Sequence, residues 1–91
     1  MMLISNVRDH RNAITGIMAR YHIQDLRYVP ESDGDAEVVF LVDPQDRLSY
    51  FDIFQMEDDL GAELHVRVEI LTLGGLQGSY RDRILNTAQP I

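Results

Sequence analysis

One stretch of the sequence, Asp35–Asp43, constrains the fold more than any other. It reads DAEVVFLVD, an apolar run bounded by acids, and Pro44 closes it. This pattern predicts a central β-strand whose two faces are both at least partly covered. Strand alternation places Val38, Phe40 and Val42 on one face and Glu37, Val39 and Leu41 on the other. The acid at the start of the strand marks either the point where solvent begins or the remnant of an acidic metal site.

Length and charge limit what this chain can do. The sequence has 91 residues, and we expect residues 1–91 to form a single domain with one modest core. It has no cysteine, which excludes disulfides and thiolate metal sites. The formal net charge of −7 argues against nucleic-acid binding, because phosphate neutralisation needs a basic face. No segment has the pattern of a signal peptide or a membrane span, so we expect a soluble, cytoplasmic protein that does not bind membranes.

Hydrophobic periodicity predicts three helices and three strands. The helices are expected at residues 5–21, 47–60 and 77–88, and the strands at residues 26–29, 35–43 and 64–71. Asp46 is the predicted cap of the second helix, and Gly61 is its predicted stop. The short turn at residues 31–35 predicts an antiparallel hairpin of the first two strands. These elements predict an α+β fold in the order α-β-β-α-β-α, with a small mixed sheet of about three strands and helices packed on one face.

Two features of the predicted helices leave alternatives open. The second helix carries a broad apolar face that includes Phe51 and Phe54. We expect these aromatic residues to lie in the core, with a subunit contact as the alternative. Gly16 lies inside the first helix and costs about 1 kcal/mol relative to alanine, unless a close packing contact requires it.

Four segments carry a family resemblance over almost the whole chain. They are residues 19–29 (ARYHIQDLRYV), 38–43 (VVFLVD), 60–71 (LGAELHVRVEIL) and 84–91 (ILNTAQPI). In order and spacing they resemble the minimal nucleotidyltransferases, the small partners of HEPN proteins in bacteria and archaea. The segments are similar to that family's lead-in to its first strand, its metal-binding strand, the strand that brings a third acid, and its terminal helix. The resemblance implies a nucleotidyltransferase-like fold.

The chain departs from the family pattern at the site. Active members carry a Gly-Ser pair after the first strand, and this chain has the sequence PESDG at residues 30–34 instead. The family also needs two aspartates at alternate positions of the central strand, where both can hold magnesium. Those positions are Glu37 and Val39 here, and the third acid position is Glu69. A shifted alignment would pair Asp35 with Glu37 instead.

The resemblance therefore implies a degenerate site. Glu37 and Glu69 are expected to be vestigial metal ligands, no residue is expected to be catalytic, and no cofactor is expected. The expected binding surface comprises Glu37, Val39, Arg67 and Glu69. We expect the chain to act by protein binding, as an antitoxin-like partner of a HEPN-type toxin. The alternatives are an active nucleotidyltransferase that uses Mg²⁺ and ATP to adenylylate a protein, and a small self-associating domain that forms homo-oligomers.

Overall fold

The computed structural model describes residues 2–31 and 34–91. The elements, in chain order, are α1 (Ile4–Asp9), α2 (Arg11–Arg20), β1 (Ile23–Val29), β2 (Val38–Pro44), α3 (Tyr50–Leu64), β3 (Val68–Thr72), α4 (Gly78–Thr87) and β4 (Gln89–Pro90), with a 3₁₀ turn at Leu73–Gly75. The predicted order of elements is confirmed, with the first helix divided in two and a short strand added at the end. No helix in the described part of the chain is long and apolar enough to cross a membrane.

The strands form one mixed sheet in the order β3-β2-β1-β4. β1 and β2 pair as the predicted antiparallel hairpin, and β4 pairs antiparallel to the other side of β1. β2 and β3 are parallel. A parallel pair needs a crossover connection, and α3 supplies it. The α+β class with a small mixed sheet is confirmed, although the sheet has four strands because β4 was not predicted.

Two apolar clusters lie on opposite sides of β2. The first contains Val38, Phe40 and Val42 of β2 together with buried side chains of α1, α2 and α3, among them Val7, Ile14, Met56 and Leu60. The second contains Val39 and Leu41 of β2 together with Val29, Leu76 and Ile84. The predicted alternation of β2 is confirmed. Helices α1 to α3 pack on one face of the sheet, as predicted. α4 packs on the opposite face, where Val39 and Leu41 also need an apolar cover.

The strand boundaries differ from those predicted. β2 begins at Val38 rather than at residue 35, so Glu37 precedes the strand. β3 begins at Val68 rather than at residue 64, because Leu64 is buried as the last residue of α3. β1 is longer than predicted and begins at Ile23 rather than at residue 26. The turn predicted at residues 31–35 includes residues 32 and 33, which lie outside the described residues.

The first predicted helix is interrupted at His10. This residue has φ −103° and ψ 16°, which are not helical angles, and it separates α1 from α2. Its Nδ1 lies 3.1 Å from Oε1 of Glu63 on α3. Val7 before the break and Ile14 after it are both fully buried in the same cluster. The two short helices thus share one core and do not continue along one axis.

Both predicted ends of α3 were wrong. Ser49, not Asp46, caps the helix: the Asp52 backbone N–H donates to Ser49 Oγ at 3.1 Å, and the Ser49 N–H donates to Asp52 Oδ2 at 3.3 Å. This reciprocal capping box satisfies two donors that a helix start otherwise leaves unpaired. Gly61 lies within the helix, which continues to Leu64 and ends where His65 adopts the left-handed φ of 58°.

Gly61 is required by a close approach of the backbone. The left-handed turn at His65 folds the chain back over the last turn of α3, and the Val66 N–H donates to the Gly61 carbonyl at 3.3 Å. A Cβ atom at Gly61 would lie 2.9 Å from the Val66 carbonyl oxygen, which is too close for carbon. Gly16 differs, because a Cβ there would meet nothing within 4 Å.

We therefore expect alanine substitutions at these two glycines to have opposite effects. Gly16→Ala should raise the free energy of unfolding by about 0.5–1 kcal/mol, because alanine is the better helix former. Gly61→Ala should lower it by about 1 kcal/mol, because the forced shift of the Val66 backbone outweighs the same helical gain. Urea unfolding of both variants beside the wild type measures the difference. Equal stabilisation by both substitutions would contradict the close approach.

The two edges of the sheet are blunted in different ways. β3 is one edge, and the Ile70 N–H donates to Oε2 of Glu57 on α3 at 2.8 Å. Burial raises the pKa of the Glu57 carboxyl, the hydrogen bond from Ile70 opposes that rise, and the charge of Glu69 adds to it. At the other edge, β4 has only two residues and ends at Pro90, which has no N–H to offer.

Tyr21 and Asp59 join α2 to α3. The Tyr21 hydroxyl donates to Asp59 Oδ2 at 2.7 Å, and the Gln55 side-chain amide donates to the other carboxylate oxygen at 3.4 Å. The pKa of Tyr21 is raised from 10.0 to about 12, first by burial and then by the hydrogen bond to Asp59 and the charge of that carboxylate.

This shift has a defined effect on stability in alkali. Between pH 10 and about 12 the folded protein keeps the Tyr21 proton that the unfolded chain has lost, so the free energy of unfolding should fall as pH rises through this range. The fall should be shallower in Tyr21→Phe, because phenylalanine has no hydroxyl to titrate. At pH 7 the free energy of unfolding of this variant should be about 1 kcal/mol lower than that of the wild type, because the hydrogen bond to Asp59 is lost. Urea midpoints from pH 9 to 11.5 measure the slopes, with Tyr50→Phe as the control for removing a hydroxyl elsewhere. A slope unchanged in Tyr21→Phe would contradict the assignment.

Candidate functional site

The structure brings the four predicted binding residues together on two neighbouring strands. In the parallel pairing of β2 with β3, Val39 lies opposite Glu69. One step outside β2, the Glu37 N–H donates to the Arg67 carbonyl at 2.9 Å. Glu37 and Val39 therefore run beside Arg67 and Glu69 at the N-terminal end of the strand pair. Glu37, Arg67 and Glu69 are exposed, whereas only 4% of Val39 is accessible to solvent.

Val39 is held in place by apolar neighbours. It belongs to the cluster formed by Val29, Leu41, Leu76 and Ile84, and Leu71 and Leu73 pack against that cluster. Ile84 comes from α4, whose apolar residues cover this side of the sheet. The position at which the family resemblance implies a second metal-binding carboxylate is therefore closed by hydrocarbon.

A cleft of about 250 Å³ opens beside Val39 and Glu69, and we call it the sheet cleft. It is lined by Glu31, Gly34, Val39, Glu69, Leu71, Tyr80 and Ile84. The Arg83 guanidinium forms an ion pair with Glu31, Nε to Oε2 at 3.1 Å. The same guanidinium lies 5.3 Å from the centre of the Tyr80 ring, within the range of a cation–π contact. The carboxylate of Glu31 is thus balanced by a cation that belongs to the protein.

The donor set of the sheet cleft does not fit a magnesium ion. Mg²⁺ needs near-octahedral oxygen ligands at about 2.0–2.1 Å. Among the described residues, the cleft offers carboxylates only from Glu69 and the Arg83-paired Glu31. Glu37, the other predicted metal ligand, does not line the cleft. Within residues 2–31 and 34–91, no three acidic, histidine or cysteine side chains form a group that could hold a metal. The metal-ligand role of Glu37 and Glu69 stays a prediction.

Sequence reasoning missed the contribution of α4 to this site. The sequence predicted a helix at residues 77–88 but assigned no role at the site to Tyr80 or Ile84. The pairing of Arg83 with Glu31 joins residues that are far apart in sequence. The one usable signal was the apolar character of Val39 and Leu41, which requires a cover on their face of the sheet.

Because Val39 is buried, placing a carboxylate at this position should destabilise the protein. Val39→Asp should lower the free energy of unfolding by about 3 kcal/mol at pH 7, because a charge would replace hydrocarbon in a closed apolar cluster. Burial would raise the pKa of the new aspartate, so the loss should shrink as pH falls through that raised pKa towards the unfolded value of about 3.9, since protonation removes the buried charge. Val39→Thr, which keeps the shape of valine, is the matched control and should lose about 1 kcal/mol. Urea unfolding at pH 7 and pH 4.5 measures both; a fully stable Val39→Asp would show that this position is open to solvent.

Comparisons with known proteins found relatives among solved structures. Neither a scan of protein-family models nor a search of curated proteins gave a match to this sequence. The chain is similar to a solved structure provisionally described as a minimal nucleotidyltransferase, with 25% sequence identity and a TM-score of 0.79 over 99% of this chain and 97% of that one. It is also similar to a chain in the crystal structure of a mutant of the toxin–antitoxin MntA-HpeT. That match has 13% identity and a TM-score of 0.70, over 86% of this chain and 68% of that one.

Proposed function

The chain has the fold of the minimal nucleotidyltransferases, and on that premise we propose that it acts by binding a protein rather than by transferring a nucleotide. One observation carries the proposal: Val39, which lies opposite Glu69, is buried in an apolar cluster. Nucleotidyl transfer through two magnesium ions needs carboxylates at that place. A valine closed in by α4 cannot supply one, whereas a binding surface does not need one.

The charges of the site support the same conclusion. A nucleotide triphosphate is bound through donors such as backbone N–H groups and basic side chains. The sheet cleft presents Glu69 and Glu31, and the Arg83 cation beside them is already engaged by Glu31. An incoming triphosphate would have to compete with Glu31 for this guanidinium and approach Glu69 as well. The site is therefore better suited to a basic protein surface than to an anion.

The partner we propose is a HEPN-type toxin, which this chain would bind as an antitoxin. The likeness to a chain of the toxin–antitoxin MntA-HpeT supports this assignment together with the formal net charge of −7. A HEPN-type ribonuclease must bind RNA and therefore needs a basic surface, and an acidic partner is complementary to such a surface. The proposed contacts are the exposed Glu37, Arg67 and Glu69. Val39, the fourth residue of the predicted binding surface, is buried beneath them.

Coexpression with a HEPN-type protein encoded beside this chain tests the proposal. The two proteins should copurify, and this chain should relieve the growth arrest that the HEPN protein causes alone. Reversing the charge with Glu37→Arg and Glu69→Arg together should weaken binding about ten-fold or more, because both carboxylates would then repel a basic surface. Asp46→Arg is the matched control, since Asp46 is exposed beyond the opposite end of β2. Failure of the wild-type chain both to bind and to neutralise would overturn the proposal.

Calorimetric titration with ATP and Mg²⁺ separates this proposal from an active enzyme that adenylylates a protein. We expect no binding heat from the wild type at millimolar ATP, because the magnesium ligands are incomplete. Saturable binding that disappears in both Glu37→Ala and Glu69→Ala would overturn the expectation and establish a working two-carboxylate site.

A further inference from the structure

The side of α3 that faces away from the core carries unpartnered aromatic residues. Tyr50, Phe51 and Phe54 are 80%, 74% and 60% exposed, whereas Met56 and Leu60 on the inner side are fully buried. Helical spacing places Phe51, Phe54 and Asp58 along one outward stripe, with Tyr50 at its margin. We call these four residues the outer face of α3. The prediction that Phe51 and Phe54 lie in the core was therefore wrong, and the alternative of a subunit contact gains support.

The acids of α3 are not equivalent. Four of them are used within the molecule: Asp52 in the capping box, Glu57 with Ile70, Asp59 with Tyr21 and Glu63 with His10. Asp58 is exposed on the outer face and, among the described residues, has neither a hydrogen-bond nor an ion-pair partner. The same holds for the exposed cation of Arg47, which stands just before the helix. One free charge of each sign thus flanks the aromatic residues.

We propose that the outer face of α3 binds the same face of a second copy of this chain, with the two helices antiparallel about a two-fold axis. A two-fold axis midway between Phe51 and Phe54 places Phe51 of one copy against the partner's Phe54. Phe54 of the first copy then lies against the partner's Phe51. The same register places the partner's Asp58 just beyond the N-terminal end of α3 at Tyr50, and Arg47 lies in the segment that precedes this end. The two charges are thus brought towards one another twice, because the contact is symmetric. A single face thereby supplies both the apolar centre and the complementary charges at its rim.

A second copy fits these observations better than another protein. Most of the acidic charge of α3 is directed to its flanks and partnered there, so the outer face is nearly neutral when Arg47 is included. A strongly basic partner would find only Asp58 on this stripe. When two copies pair, in contrast, the free cation of Arg47 in each copy is brought towards the free carboxylate of Asp58 in the other. One chain therefore supplies both of the complementary charges.

The size of the face predicts a weak dimer. At roughly 200 Å² per aromatic residue, the exposed fractions of Tyr50, Phe51 and Phe54 correspond to about 400 Å² on each copy. Both copies together would bury about 800 Å² of aromatic surface, to which the charged rim adds. The aromatic surface alone therefore falls below the lower limit for a specific contact, about 1,200 Å². The charged rim has to supply the remainder, so association should be weak and should depend strongly on protein concentration.

Sedimentation equilibrium of the full chain, from about 5 to 500 µM, tests the proposal. The wild type should convert from monomer to dimer within this range. Phe51→Ser with Phe54→Ser should stay monomeric throughout, and Leu3→Ser, at an apolar residue 65% exposed elsewhere, should behave as the wild type. Circular dichroism confirms folding, which these exposed positions should not disturb.

A charge exchange tests the register independently. Arg47→Asp and Asp58→Arg should each weaken the dimer about three- to ten-fold, because each places like charges opposite one another twice. The double variant should restore dimerisation, since the exchanged charges attract again. Within one copy the described residues form no ion pair between Arg47 and Asp58, so recovery would report contact between copies. A monomeric wild type at 500 µM, a dimer unaffected by the two serines, or no recovery in the double variant would each overturn the proposal.

Discussion

The structure depends on the burial of β2 on both of its faces. An isolated sheet face covered with Val38, Phe40 and Val42 needs one apolar cover, and Val39 and Leu41 on the other face need a second. α1, α2 and α3 provide the first cover, and α4 with the 3₁₀ turn provides the second. The parallel partner β3 is held beside β2 because α3 crosses over the first face. One strand thus determines where every helix packs.

The same burial decides what the site can do. In a protein that handles magnesium and triphosphate, the face beneath the reacting groups must stay open and polar. In this chain the second apolar cluster covers that face at Val39 and Leu41, and this contact is the basis of the proposal that the chain binds a protein. Glu69 stays exposed at the margin of this face, and the Arg83 guanidinium forms an ion pair with Glu31.

Much of this could be predicted from the sequence, because it is encoded in local patterns. The alternation in β2, the hairpin with β1 and the class of the fold follow from side-chain periodicity and short connections. What could not be predicted is decided by tertiary contacts. Gly61 has the character of a helix stop, yet the helix continues because burial of Leu64 favours a left-handed turn at His65. β4 has two residues and no periodicity, and the ion pair of Arg83 with Glu31 has no signature in either segment.

The boundaries and the aromatic residues of α3 show most clearly what residue type alone does not predict. Asp46 and Ser49 are both good caps, and only Ser49 has an acidic residue three positions later that can complete the reciprocal hydrogen bonds. Phe51 and Phe54 were assigned to the core for their apolar character alone. The helical period fixed by Met56 and Leu60 turns them to solvent instead.

The blunted edges of the sheet carry a consequence for how this molecule can associate. Foreign chains and amyloid-like aggregates commonly recruit a folded protein by adding a strand to a free sheet margin. At β3 the Ile70 donor is occupied by the Glu57 carboxylate, and at β4 a proline ends a two-residue strand. Backbone-templated growth is thereby obstructed in both directions. Strand addition is therefore hindered at these two places, which favours recognition of the domain through its surface side chains. A single surface substitution can change a contact of that kind and leave the sheet intact.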